Sequence, residues 1–301
     1  MPVLISPMVS NDSPMENEAF RLAAHRKWGA AARMMTRVAK TEPHITSRWI
    51  QIAYWHRRDH NLKAAIRTLQ TALRLNLQLN VQTGADPFAE LKKKSASGKA
   101  RPGRQIDEAC ITGHASAEDL IELWEALSEA QLEAQDWPGC IATCQTLLQH
   151  APHHHFGQEI LATAFLQTGE IDKAVEVMRH LLQLSPRDPL HRLKLATLLQ
   201  LRGNFGEALR EFQRVVETHP DLLFVEEAHE AIEALDRMQT QQILLRAAEE
   251  HAFRLHLQQD FDATLEDGGF YLSEAGRESL RHMLWDGRAD DTNSIPPPRV
   301  H

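Results

Sequence analysis

A chain of 301 residues, 43% of them hydrophobic and 25% charged, has apolar material for a sizeable core, and its two tyrosines and few glycines suit a soluble helical protein. The net charge of -8 argues against nucleic-acid binding by the whole surface and leaves only a local basic patch for that role. Cys110, Cys140 and Cys144 make no disulfide framework and suit a reducing compartment. The apolar run from Pro2 to Val9 has no basic region before it and reads as no signal peptide. No apolar stretch approaches the roughly 20 residues that a membrane helix needs. A cytoplasmic chain without membrane contact is expected.

In chain order, residues 1–11 read as a disordered arm. Ser13-Pro14-Met15-Glu16 then forms a capping box with proline at the first helical position. Residues 12–79 carry two degenerate copies of one pattern. The first is Ala19, Leu22, Trp28, Ala31, Met35, Val38 and Pro43, with Glu18 at a normally apolar place. The second is Trp49, Ile52, Ala53, His56, Leu62, Ala65, Leu69 and Ala72, with Leu77 where proline is usual.

Over residues 80–116 the helical period disappears, and Lys92, Lys93, Lys94, Lys99, Arg101 and Arg104 are interleaved with Gly, Ser, Ala and Pro. This composition predicts a flexible basic linker that splits the repeats two plus three. Ser116, with Glu118 and Asp119 in the first turn, restarts the helices.

Residues 117–222 hold the clearest copies, because Pro152, Pro186 and Pro220 end apolar runs at a constant spacing of 34 residues. Trp124, Leu127, Ser128, Gln131, Trp137, Cys140, Cys144 and Leu147 match Leu161, Ala162, Phe165, Gly169, Ala174, Met178 and Leu181 of the next copy. Leu195, Ala196, Leu199, Gly203, Ala208, Phe212 and Val215 form the third. The alanines suit a close helix crossing, and the two glycines suit a left-handed residue where the first helix reverses. Asp188-Pro189 adds a carboxylate cap and a proline at the first helical position.

This pattern resembles the tetratricopeptide repeat (TPR), in which Trp, Leu-Gly and Tyr, then Ala, Phe and Pro, mark two antiparallel helices packed as a unit. The resemblance implies an all-α fold: a right-handed α-α superhelical solenoid of TPR-like helical hairpins with C-terminal capping helices. Residues 223–259 read as the capping helices, on Val225, Ala228, Ile232, Leu235 and Met238 and then Leu244, Ala248, Phe253 and Leu257, with a break between the two sets. Residues 260–287 read as a helix-loop-helix with Gly268-Gly269, a cap at Ser273, and Leu280, Met283, Leu284 and Trp285 able to dock back. Residues 288–301 read as a disordered tail.

The resemblance also implies a binding groove lined by the first helix of each repeat. Phase assigns to it Glu122, Glu125, Glu129 and Glu133, then Phe156, Glu159, Thr163 and Leu166, then Leu190, Leu193, Thr197 and Leu201. Phe20, Tyr54, Arg57 and Arg58 form a secondary groove in the first block. The alternative for the glutamates is a plain solvated helix face. Some relatives bind acidic chaperone tails through cations on this face. Glu125 and Glu129 stand where those cations are needed, so a protein or peptide partner with a basic and apolar segment is expected instead.

No phosphate loop, nucleophile elbow or Cys-x-x-Cys spacing is present, so the chain is read as a non-enzymatic scaffold or adaptor with no catalytic residue, cofactor or metal. His229-Glu230-Ala231-Ile232-Glu233 resembles a zinc-protease helix until Glu233 replaces the second histidine, and Glu226 with His229 offers only half of a di-iron site. Cys140 and Cys144 near His150, His153, His154 and His155 suggest a metal enzyme, but repeat phase makes both cysteines core residues. A rival reading is nucleic-acid or ribosome binding through the lysine-rich linker. No aromatic residue alternates with those cations except Phe88, which precedes them, so base stacking has little support.

Overall fold

In a computed structural model the described residues are 13–84, 86–88, 115–218 and 222–285, and no strand occurs among them. The arm, the cations of the basic linker, Cys110, Pro220 and the proline-rich tail lie outside them. Described helices are α1 (Pro14–Ala24), α2 (Trp28–Thr41), α3 (Thr46–Arg58), α4 (Leu62–Thr83), α5 (Ala117–Glu133), α6 (Trp137–His150) and α7 (His155–Gln167). They continue as α8 (Ile171–Leu184), α9 (Pro189–Leu201), α10 (Phe205–Thr218), α11 (Leu222–Glu249), α12 (His251–Gln259), α13 (Phe261–Asp267) and α14 (Glu274–Trp285). The chain forms two compact units, Met1–Glu170 and Ile171–His301.

Five repeats share one phase, and the turn residues demonstrate it. Arg26, His60, Gln135, Gly169 and Gly203 all take positive φ between the two helices of a repeat. The steps are 34 residues except from His60 to Gln135, which is 41 residues longer. Three copies thus use a side-chain-bearing residue where the other two use glycine, tolerating a left-handed conformation that costs roughly 1 kcal/mol. These three copies are therefore marked by their apolar and small residues and not by a turn glycine.

Within the first unit each helix packs on the next from α1 to α4, and α4 packs directly on α5. The residues between α4 and α5 are therefore an insertion into a stack whose flanking repeats abut. Without proline at Leu77, α4 continues to Thr83 and ends at Gly84 with φ 71°. Both ends of the insertion are anchored. Phe88, 6% exposed, stacks on His150 at 4.0 Å between centroids, and Asn80 Nδ2 donates to the Ala115 carbonyl at 3.2 Å. Ser116 and Asp119 then form the capping box that starts α5.

A second recurring device pins one repeat on the next. Trp49 Nε1 donates to the Pro43 carbonyl (3.1 Å), Gln158 Nε2 to that of Pro152 (2.7 Å) and Arg192 Nη2 to that of Pro186 (2.8 Å), always six residues on. An indole, an amide and a guanidinium do one job. Each satisfies the carbonyl of a turn proline two residues past the end of the preceding helix, an acceptor that lies outside the helical hydrogen-bond ladder.

At the N-terminus Ser13 caps α1 as expected, accepting from the Glu16 amide at 3.3 Å. The Glu16 carboxylate does not complete a capping box. It pairs with Arg48 of α3 at 2.8 Å instead, and both side chains are about nine-tenths buried. A charge buried with α3 needs that partner more than the amide of Ser13 needs a second acceptor.

In the second unit α8 packs on α9, α9 on α10 and α10 on α11. Ala196 and Ala208 are fully buried on the packed pair α9 and α10. Ala196→Leu is expected to destabilise the protein by about 1–3 kcal/mol through overpacking. Urea denaturation measures this, with Lys194→Gln on the exposed side of α9 as the near-neutral control.

The capping region departs from its expected phase. No break falls between Met238 and Leu244; α11 runs unbroken over 28 residues to Glu249, and the chain turns at Glu250. Ile243 and Ala247 are buried, while Leu244 is half-buried and Ala248 exposed. Within the second unit α14 packs on α11. The ring of Tyr271 lies against Gly206 of α10, so close that a Cβ there would be 2.9 Å from it.

Candidate functional site

The first helices α3, α5 and α7 lie side by side in the first unit, α3 against α5 and α5 against α7. Their exposed edges bring the predicted acidic residues beside the predicted secondary groove. Arg57 Nη1 lies 2.5 Å from Glu129 Oε2, and Arg57 Nε lies 2.6 Å from Glu133 Oε2. Burial alone would lower the Arg57 pKa, but the hydrogen bonds and charges of Glu129 and Glu133 outweigh it and hold the guanidinium above its ordinary value. One forked cation therefore spans two carboxylates one helical turn apart.

Two predicted aromatic residues on α1 and α3 are exposed. Phe20 is 44% exposed and meets the buried Trp55 edge-on at 5.5 Å, and Tyr54 is 40% exposed one turn before Arg57 and Arg58. Arg58 does not join the triad, because its guanidinium sits over Trp28 at 5.9 Å from the ring centroid. Glu125 pairs with His154 Nε2 at 2.6 Å, and Glu122 is exposed on the same helix. On α7, Phe156 is 39% exposed, Glu159 and Leu166 are half-buried, and the Thr163 hydroxyl donates to the Glu159 carbonyl at 2.9 Å.

The second unit carries the remaining predicted residues on α9. Leu190 and Leu201 are 40% and 55% exposed, and exposed Thr197 donates to the Leu193 carbonyl at 2.9 Å. Leu193 itself is only 4% exposed and belongs to the core, a correction to its assignment as a groove residue. Its α9 neighbours Leu195, Ala196, Leu198 and Leu199 are also buried, so apolar packing claims both flanks of the helix and leaves a narrower open edge.

Cys140 and Cys144 are fully buried in α6, and Cys140 Sγ lies 3.6 Å from the Ser128 carbonyl at the small-residue crossing of α5 and α6. A hydrogen bond with Cys140, together with burial, holds the Cys144 thiol well above its ordinary pKa and makes it a poor ligand or nucleophile. Among the described residues no three His, Cys, Asp or Glu side chains converge for a metal ion, and no helix is long and apolar enough to cross a membrane.

A tetratricopeptide-repeat family model matches residues 156–198, and a second model of the same description matches residues 192–222. The chain therefore carries tetratricopeptide repeats. No curated protein sequence matches it. Among solved structures, the TPR chain is similar to MamA 41-end from Desulfovibrio magneticus RS-1, at 12% identity over 70% of this chain and 97% of that one, with a TM-score of 0.47. It is also similar to YrrB, described as a TPR protein with an unusual peptide-binding site, at 11% identity over 73% of this chain and 92% of that one, with a TM-score of 0.46.

The TPR phase explains what sequence reading missed. Glu129 and Glu133 were assigned to one groove and Arg57 to another, because the insertion separates them by more than 70 residues. Removing the 41 extra residues makes the second and third TPR consecutive, which puts Arg57 on the first helix next to that of the glutamates. The signal lay in the turn phase.

Proposed function

We propose that the protein is an interaction scaffold whose first unit binds an extended peptide segment, rich in apolar residues and carrying a basic one, across the exposed edges of α1, α3 and α5. The observation that carries this reading is exposed Tyr54, one turn before Arg57 of the Arg57, Glu129 and Glu133 triad, with exposed Phe20 of α1 packed on Trp55 of the same helix α3. Aromatic rings with open faces supply contact area at low entropic cost, and the carboxylates supply orientation. Arg57 already occupies the glutamates. A basic residue of the partner therefore exchanges with an internal cation, which lowers affinity and raises discrimination against segments lacking a cation.

Two variants test the reading with a labelled arginine-leucine peptide. Tyr54→Ser together with Phe20→Ser should weaken binding about tenfold or more, since each removes an open ring from the contact. Arg57→Ala should tighten it by about fivefold, because freeing two exposed carboxylates returns roughly 1 kcal/mol. Unchanged affinity in both variants, measured by fluorescence anisotropy, would refute this site.

A further inference from the structure

In the second unit, side chains of α8, α9 and α10 line an open cleft of about 700 Å³ that the peptide site described above does not use. Leu195 and Leu199 lie at its base, 4% and 1% exposed, with half-buried Leu182 beside them. Its walls carry four guanidinium groups, those of Arg179, Arg192, Arg210 and Arg214, against the two carboxylates of Glu207 and Glu211. A surplus of positive charge in one cleft runs against a chain whose net charge is -8.

The ion pairing within the cleft is uneven. Arg179 Nη2 reaches Glu207 at 2.6 Å, linking α8 to α10. Glu211 serves two cations at once, Arg192 Nη1 and Arg214 Nη1, each at 2.6 Å. Arg192 is further fixed by the Pro186 carbonyl, yet its Nε is buried with no acceptor among the described residues. Arg210 is exposed and forms no ion pair among the described residues. Buried donors are ordinarily satisfied, and guanidinium groups that share one carboxylate keep hydrogen-bonding capacity in reserve.

We propose that this cleft is a second binding site, one that takes an acidic peptide segment with carboxylates set around an apolar side chain. Planar guanidinium groups bind carboxylates bidentately, which fixes the polarity of the ligand. The leucines at the base give a peptide an advantage over a bare anion, which gains nothing from apolar surface. A basic segment, the expected ligand of the first unit, is repelled here. The two sites therefore select partners of opposite charge, which suits a scaffold that brings two different chains together.

The test titrates full-length protein into a fluorescein-labelled peptide of glutamates around a leucine pair, followed by anisotropy at low and high salt. Saturable binding that weakens with salt is expected. Arg210→Glu with Arg214→Glu should weaken it about tenfold, and Arg210→Gln alone, which breaks no ion pair, about threefold. Phe20→Ser with Tyr54→Ser should leave it unchanged, so failure of this site is separable from failure of the first. Absence of saturable binding, or equal affinity in the Arg210→Gln and Arg210→Glu/Arg214→Glu proteins and the wild type, overturns the proposal. So does displacement by inorganic phosphate as effective as that by unlabelled peptide, which would make the cleft a simple anion site.

Discussion

Arg48→Leu is expected to cost about 3–5 kcal/mol of folding stability, the largest loss from any single charge in the first unit. Arg48 and Glu16 each keep about a tenth of their side-chain surface, at 10% and 11%, and they join α3 to α1. Removing the cation leaves a carboxylate in a buried site with no ionic partner, and that desolvation penalty makes up most of the loss. Glu42, 51% exposed, is the minor partner at 2.5 Å. Glu16→Leu combined with Arg48→Leu should recover much of the stability, since an apolar pair of similar volume leaves no charge buried.

The pH dependence of the same variant supplies an independent check. The hydrogen bond from Arg48 holds the Glu42 carboxyl below its ordinary value. A carboxyl depressed in the folded state stabilises above its unfolded pKa, and that contribution is lost as pH falls through the folded one. Arg48→Leu should therefore flatten the acid limb of the stability profile below about pH 4.5, besides lowering the plateau at neutral pH. A urea midpoint at neutral pH within experimental error of the wild type would show that the pair contributes nothing net.

What sequence alone made legible followed from chain stereochemistry. Pro152 and Pro186 follow apolar runs and cannot continue them as helix, and the small residues Ala162, Ala174, Ala196 and Ala208 recur at the same place in the period, so the repeat phase was readable from local rules. The small residues of the pattern are buried in all five copies, including Ser128 and Cys140. Phase was lost where the chain drifted from the repeat. Along the 28 residues of α11, the chosen face moved by one position, from Ala248 to the buried Ala247, because 3.6 residues per turn does not hold a fixed integer register. Ion pairs were illegible for a different reason. Arg48 with Glu16, and Arg57 with Glu129 and Glu133, are partners chosen by packing between repeats: the turn phase sets the helices of Arg57 and the glutamates side by side, but no local motif marks the pairs.

Asp236→Ala is expected to loosen the C-terminal helices α13 and α14 from α11 at a cost of about 2–3 kcal/mol. Asp236 is 8% exposed in the middle of α11, a place that the apolar pattern left blank. It accepts from the Ser273 amide at 2.9 Å and from the Ser273 hydroxyl, which in turn caps α14 by accepting from the Gly276 amide at 3.0 Å. Gln239, one turn on and fully buried, holds both the amide and the carbonyl of Tyr271 at 2.8 Å. These two side chains satisfy the backbone of the loop that leads into α14 and set Tyr271 against Gly206. The approach is close because residue 276 has no side chain: a Cβ there would lie 2.5 Å from the Asp236 carboxylate carbon. Truncating Asp236 leaves the Ser273 amide without its acceptor in a half-buried position, and a charged acceptor is worth about twice a neutral one. Hydrogen exchange should show faster opening over residues 261–285, with protection in α9 and α10 retained. Asp236→Asn keeps one acceptor oxygen and should lose only part of the effect. If exchange in 261–285 were unchanged in Asp236→Ala, the apolar cluster of Phe253, Leu265, Leu272 and Leu280 alone would be holding the C-terminal helices in place.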